Sequence, residues 1–341
     1  MKIYIRSTGN ISPQHSLDKT SFFLSRVKTT HNYFKSLEPD YDDFVDSKMI
    51  RRMSRVVKMG VAAAITCLRQ AKMDCPGSIL TATAYGCLED SDAFLRKMIE
   101  FDEKMLSPTA FIQSTHNTVG AQIALLLKCH HYNNTIVHSS FSFENALTEA
   151  SLLLKDSLGP VLVGAVDEIT EDRHTILSRF GLYRKTAKNE GNIAGEGAAF
   201  FLLDNEPGDS PQAILRDVQT LHKPETPEAI QDAIREILQT NGLQIDQIDL
   251  VLTAHRNRKK LDEADDELLK TVFQNNHCYP YKSLCGDYPT ATGFALWFAA
   301  LLLKEQKPPQ WMEGYRFPLK NILIHHHNGN DHHSFILISA C

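Results

Sequence analysis

The chain reads as an α/β protein made of two similar halves. Strand-like β-branched runs alternate with helical patterns along its 341 residues. A turn-rich stretch, Asn205-Glu-Pro-Gly-Asp-Ser-Pro211, interrupts that alternation. Each side of it closes alike, with Gly195-Glu-Gly-Ala-Ala-Phe-Phe-Leu-Leu203 and Gly329-Asn-Asp-His-His-Ser-Phe-Ile-Leu-Ile338 both carrying a turn into a buried strand. A duplicated unit is expected, divided as 1–205 and 206–341, and residues from the two halves should meet at a pseudo-two-fold seam.

Strands are expected at 2–6, 79–84, 135–138, 160–166, 198–203, 250–254, 322–324 and 334–339, in a sheet covered on both faces and largely parallel. The helix at 226–242 has Thr226 as N-cap, Pro227 in its first turn and a closing Gly242. The helix around Trp297, at 290–304, is apolar on all sides and should be core. Its apolar run from Phe294 to Leu303 is about half of what a bilayer span requires.

The segment Thr135-Ile-Val-His-Ser-Ser-Phe-Ser-Phe-Glu-Asn-Ala-Leu147 passes from a β-branched run through small polar residues into a helical pattern. It predicts a nucleophile elbow with Ser139 at the turn, where the following helix aims its first N–H groups at whatever binds. Three later segments fit one site with it: Leu252-Thr-Ala-His255, Lys282-Ser-Leu-Cys-Gly-Asp287, and the turn from Asn328 to Asp331.

Composition bounds the function. With 43% hydrophobic and 23% charged residues the chain is globular. A net charge of −5 argues against a general nucleic-acid binder, which needs a surplus of Lys and Arg. Small molecules and proteins are the expected partners. The opening Met1-Lys-Ile-Tyr-Ile-Arg6 lacks the apolar core of a signal peptide. The 7 cysteines form no Cys-x-x-Cys pair, so neither a disulfide framework nor a zinc site is suggested and a cytoplasmic setting is expected. His325 to His333 holds a histidine cluster, but consecutive histidines on a strand point to opposite faces and poorly match a tetrahedral centre. Neither metal nor cofactor is expected.

Taken together and in order, these segments resemble the β-ketoacyl synthases, over nearly the whole chain. Ser107-Pro-Thr-Ala-Phe-Ile-Gln-Ser-Thr-His-Asn-Thr-Val-Gly120 is similar to that family's dimer-interface segment, and Gly195-Glu-Gly-Ala198 to its motif closing the first half. His255 falls on the first catalytic histidine, with Glu263 and Asp266 after it, and Lys282-Ser283 with Gly286 matches the motif of the buried lysine and second histidine. The resemblance implies a thiolase-like α/β fold of five layers, αβαβα.

The departures set the functional expectation. Ser139 stands at the acyl-accepting cysteine and Asp287 at the second histidine. His255-Arg-Asn-Arg-Lys replaces the usual glycine-threonine loop, and His326-His-Asn-Gly-Asn330 replaces the phenylalanine-rich gating loop. A serine hydroxyl needs an adjacent base where a thiol does not. Condensation needs donors facing a growing oxyanion, and a bare carboxylate about 4 Å away would cost of order 4 kcal/mol. The resemblance therefore implies a chain-length-factor-like subunit, similar to those of bacterial aryl polyene and flexirubin-type pathways, paired with a cysteine-bearing ketosynthase and served by an acyl carrier protein.

Within that reading, residues 107–120 and 133–138 belong to a dimer interface, homodimeric when the chain is alone. Phe111, Phe141 and Phe143 either line an acyl tunnel or fill core, and Asn328 and Gly329 are expected at the substrate or tunnel. The basic run Lys48, Arg51 and Arg52, continued by Arg55 and Lys58, either docks a carrier protein or is a solvated helix face. The alternative is a serine-dependent acyl transferase or thioesterase using Ser139, His255 and Asp287.

Overall fold

A computed structural model describes the chain except residues 30, 105, 187–190, 255–266, 269, 329 and 330. The first half runs β1 (Ile3–Ile11), α1 (Lys19–Leu24), α2 (Ser47–Ile50), α3 (Arg55–Ala71), β2 (Ser78–Ala82), α4 (Leu88–Glu100), α5 (Pro108–Gln113), α6 (Thr118–Leu127), β3 (Tyr132–Ile136), α7 (Ser142–Lys155), β4 (Val161–Asp167), α8 (Glu171–Arg179) and β5 (Gly197–Asp204). The second runs β6 (Ala213–His222), α9 (Pro227–Thr240), β7 (Leu250–Thr253), β8 (His277–Pro280), α10 (Lys282–Cys285), α11 (Thr292–Glu305), β9 (Asn321–Asn328) and β10 (His332–Ser339).

The strands form one sheet in the order β3-β2-β4-β5-β1-β6-β10-β9-β7-β8. Counted from either outer edge, each half places its third, second, fourth, fifth and first strands in sequence. Directions repeat too: the first three in that order are parallel, and the last two are antiparallel to their neighbours. The halves join where Ile3, Tyr4 and Ile5 pair with Leu215, Ile214 and Ala213.

The sheet is therefore mixed rather than largely parallel. The connection from β9 to β10 spans only Asn328 to His332, too short for the crossover that parallel neighbours need. Two strands, β6 and β8, were not expected from the sequence. In β6 the run Arg216-Asp-Val-Gln-Thr-Leu-His222 is partly solvent-facing and lacks a buried apolar signature. The edge strand β8 is His-Cys-Tyr-Pro, short and ended by proline.

Three apolar clusters separate the layers. Val56, Met59 and Ala63 of α3 pack on Ile11, Phe200 and Leu202 of the first half-sheet. Ile234 and Ile237 of α9 pack on Val251, Leu323 and Phe335 of the second. Between the half-sheets lie α7 and α11, whose side chains share one core with both. The succession is α-β-α-β-α. Every residue of α11 from Thr292 to Leu303 is buried, as a helix flanked on both sides by sheet requires. The α9 boundaries follow the expected caps, since Thr226 accepts from the Ala229 N–H and Gly242 takes a φ of +67°. Among the described residues no helix is long and apolar enough to cross a membrane.

Candidate active site

The chain turns sharply between β3 and α7. Ser139 takes φ +50°, the left-handed region that a non-glycine residue enters at a cost of about 1–2 kcal/mol. The turn is pinned by Ser142, whose hydroxyl donates to the Ser139 carbonyl (2.8 Å) and accepts from the His138 N–H (2.8 Å). The expected elbow is present and Ser139 is exposed on it.

Its neighbour Ser140 points inward. Ser140 helps line a cavity of about 130 Å³, together with Tyr183, Asn192, Asp287, His326 and Asn328. Its Oγ lies 2.9 Å from Nδ1 of His332, a ring stacked 4.9 Å from His222 and tilted against Phe141 at 4.6 Å. Burial, reinforced by the charge His222 carries when protonated, holds the His332 pKa below the usual histidine value. The Ser140–His332 contact was not expected. Its only sequence signals were the serine doublet and a histidine beside the last turn.

Asp287 is brought to the cavity by two glycines in close approach. A Cβ on Gly195 would lie 2.0 Å from the Cys285 carbonyl oxygen, and one on Gly286, itself at φ +80°, 2.6 Å from the Gly195 Cα. Only bare backbones pass so closely. Asp287 N–H then donates to the Ile193 carbonyl (2.7 Å), and Gly195 N–H to the Asp287 carbonyl (3.1 Å). The Asp287 carboxylate takes Lys282 Nζ on one oxygen (2.7 Å) and Asn192 Nδ2 on the other (2.9 Å). Lys282 is 5% exposed and the Asp287 side chain 14%, so the lysine is desolvated and its partner largely so. The carboxylate is thus not the bare anion weighed from sequence. Its charge is compensated, while its hydrogen-bonding character remains that of an acceptor.

Two further buried carboxylates frame the site. Glu144 of α7, fully buried, accepts from the Ser334 hydroxyl (2.8 Å). Burial pushes its pKa up to about 7, with the Ser334 bond, neighbouring Thr292 and the Lys282 charge pulling the other way; Thr292 does so without a hydrogen bond of ordinary geometry. Asp167, at the end of β4, accepts from the Thr83 and Thr290 hydroxyls and from the N–H groups of Ala84 and Tyr85. It ties the end of β2 to the segment entering α11.

The remaining expected residues scatter. Phe111 is 58% exposed and packs on Phe94 rather than on the cavity, Phe141 is buried against His332, and Phe143 is central core. Lys48, Arg51 and Arg52 are exposed, and among the described residues none forms an ion pair. Arg55 does not continue that run. It enters α3 and grips Glu196, whose carboxylate also accepts from the N–H groups of Ser36 and Ile169, because a buried acid must be paired. Of the histidine cluster, His325, His327 and His333 stack together on one face, while His326 turns to the Tyr281 hydroxyl at 2.6 Å. His255, Glu263, Asp266 and Gly329 lie outside the described residues.

Residues 28–190 match the family model described as the N-terminal domain of β-ketoacyl synthase. Over that stretch the chain is similar to β-ketoacyl synthases. Solved structures agree in fold over the whole chain. One described as the ishigamide ketosynthase/chain length factor superposes with a TM-score of 0.83 at 13% identity, covering 100% of this chain and 99% of the other. A β-ketoacyl synthase from Burkholderia phymatum STM815 gives 0.80 at 13% identity, with coverage of 100% and 99%. A type II PKS acyl-carrier protein in complex with its ketosynthase bound to the hexaketide gives 0.77 at 14%, again covering 100% and 99%. No curated protein sequence matches the chain. The fold is therefore the thiolase-like α/β arrangement of those structures, and Gly195-Glu196-Gly197 is held in it by Arg55 on Glu196 and by the close approach of Gly286 to Gly195.

Proposed function

We propose that the chain is a chain-length-factor-type subunit that pairs with a cysteine-bearing ketosynthase and shapes its acyl channel, without condensing on its own. The observation that carries this is the Lys282–Asp287 pair beside the cavity. Condensation requires donors preorganised toward a thioester oxygen that gathers negative charge. Asp287 offers acceptors and occupies the lysine as well. Ser139 adds a hydroxyl where a thiolate is needed, with no described base assigned to it. Both departures act in the same direction.

The partner surface fits β3. It is the outermost strand of the first half-sheet, its outer edge has no partner strand among the described residues, and Leu125, Tyr132 and Val137 are exposed beside it. An edge of this kind invites pairing. The likeness to a ketosynthase/chain length factor and to a ketosynthase in complex with a carrier protein supports assigning a ketosynthase to that edge and a carrier protein to Lys48, Arg51 and Arg52. The division at 205/206 and the aryl polyene or flexirubin-type pathway belong to the same proposal, the pathway resting on resemblance alone.

Co-expression with a cysteine-bearing ketosynthase, followed by size-exclusion chromatography and native mass spectrometry, tests it. A heterodimer that turns over acyl and malonyl carrier protein, where this chain alone does not, is the expected result. A chain that stays monomeric at micromolar concentration and captures no synthase overturns the reading.

A second reading is serine-dependent acyl transfer or thioester hydrolysis. The Ser139, His255 and Asp287 set remains one version. The 2.9 Å contact of Ser140 with His332 favours another, because a neutral imidazole can accept the hydroxyl proton. A serine-directed phosphonate and peptide mapping separate them: modification at Ser139 or Ser140, lost in His255→Ala or His332→Ala, would establish a histidine-activated serine nucleophile.

A further inference from the structure

Far from the elbow, at the other end of the same strands, two cysteines and a histidine converge. Cys75 precedes β2, and Cys129 and His131 lie in the loop between α6 and β3. Their ligand atoms all fall within 4.8 Å of one another. Cys129 is buried, Cys75 half-buried and His131 exposed, so the group has a dry floor and an open side. Both cysteines are free thiols.

One backbone oxygen gathers all three. The Pro76 carbonyl takes His131 Nδ1 at 2.8 Å, Cys75 Sγ at 3.6 Å and Cys129 Sγ at 3.7 Å. Three donors on one acceptor leave the thiols poorly satisfied at long distances, and a cation would replace their protons at one point. We infer that Cys75, Cys129 and His131 form a site for a soft or borderline d10 metal ion, zinc or cuprous copper, with its open position facing solvent. Thiolate and imidazole ligands select such ions over magnesium or calcium. Sequence spacing hid the group because its members meet only when β2 and β3 pair in parallel.

Binding is a proton exchange. Each thiol gives up its contact with the Pro76 carbonyl, forms a metal–sulfur bond and releases one proton, while His131 gives up its hydrogen bond to that carbonyl, moves its proton from Nδ1 to Nε2 by exchange with solvent, and coordinates through Nδ1 as the neutral ring with no net proton released. Affinity must therefore fall steeply on acidification. The ion would clip the start of β2 to that of β3, the outermost strand, and stiffen the edge assigned above to a partner. The site itself does not depend on that assignment.

The test is cobalt(II) titration of the reduced full chain, read by thiolate-to-cobalt charge-transfer absorption, with zinc as competitor. The expected result is about one equivalent bound, displacement by zinc, and a raised melting temperature. Cys75→Ser and Cys129→Ser should each weaken the band, and His131→Gln should lower affinity by at least about tenfold, as loss of a neutral ligand does. Cys278→Ser, at a distant thiol, should change nothing. Cys75 and His131 are solvent-accessible, so their variants remain informative if the buried Cys129 variant fails to fold. No thiolate band, or one unaltered in Cys75→Ser and His131→Gln, would overturn the site. So would a Cys75–Cys129 disulfide that, once reduced, leaves thiols taking up no metal.

Discussion

Lys282 and Asp287 face each other 2.7 Å apart across a sharp turn at Gly286, both largely withdrawn from water. A lysine at 4% side-chain exposure cannot be left without a counter-charge. Asp287→Ala should therefore lower stability by about 3–5 kcal/mol, as removal of one partner of a buried pair does. The double variant Lys282→Met with Asp287→Leu should lose less than Asp287→Ala alone. Urea denaturation of the three proteins measures this, and a single variant as stable as the parent would show that the pair is not desolvated as described.

Glu144 predicts a pH dependence. Its carboxyl is raised from 4.5 to about 7 by burial, so the folded state holds its proton more tightly than the unfolded one. That contribution is complete below about pH 4.5 and is lost as pH rises to about 7, amounting to roughly 3 kcal/mol at about 1.4 kcal/mol per unit. Glu144→Gln stays neutral throughout and should flatten the decline in stability between about pH 5 and pH 8. Glu168, also raised to about 7 by burial, leaves a residual slope of the same sign. Unfolding free energies of parent and variant across that range decide it; parallel curves would reject the assignment.

Ser139→Cys places a thiol on an exposed, left-handed elbow. It should gain acylation by an activated thioester yet not sustained condensation, since Asp287 still offers acceptors to the developing oxyanion. Intact-mass measurement after exposure to acyl carrier protein, followed by malonyl turnover, separates the two steps. Turnover at ordinary synthase rates by this single variant alone would overturn the role given to Asp287.

The basic residues should divide by their partners. Reversing Lys48, Arg51 and Arg52 to Glu is expected to weaken carrier-protein binding by about tenfold or more at low salt, with the difference shrinking as salt screens the charges. Melting temperature should barely move, because all three are exposed. Arg55→Glu is expected to behave oppositely: it would set a second carboxylate against buried Glu196 and sharply reduce stability. Calorimetry and binding measured at two ionic strengths provide the check.

Much of the fold was legible because periodicity and turn chemistry are local. The elbow, the caps of α9, the buried α11 and most strands follow from residues adjacent in sequence. The half-exposed β6 and the short edge strand β8 escaped notice because neither carries a run of buried apolar side chains. Likewise, Arg55 read as part of a solvated basic stretch until the fold brought Glu196 to it.

By itself, then, the sequence determined the α/β alternation, the doubled strand-closing motif, the serine at the elbow and the aspartate after Gly286. Tertiary structure alone decided which groups face one another. It set Asp287 against Lys282 and Asn192, turned Ser140 rather than Ser139 into the cavity, buried Glu144 beside the same lysine, and gathered Cys75, Cys129 and His131 around one carbonyl. The reason is physical: a turn or helix is specified by interactions within a few residues, whereas the state of a charge or thiol depends on neighbours contributed by chain segments distant in sequence.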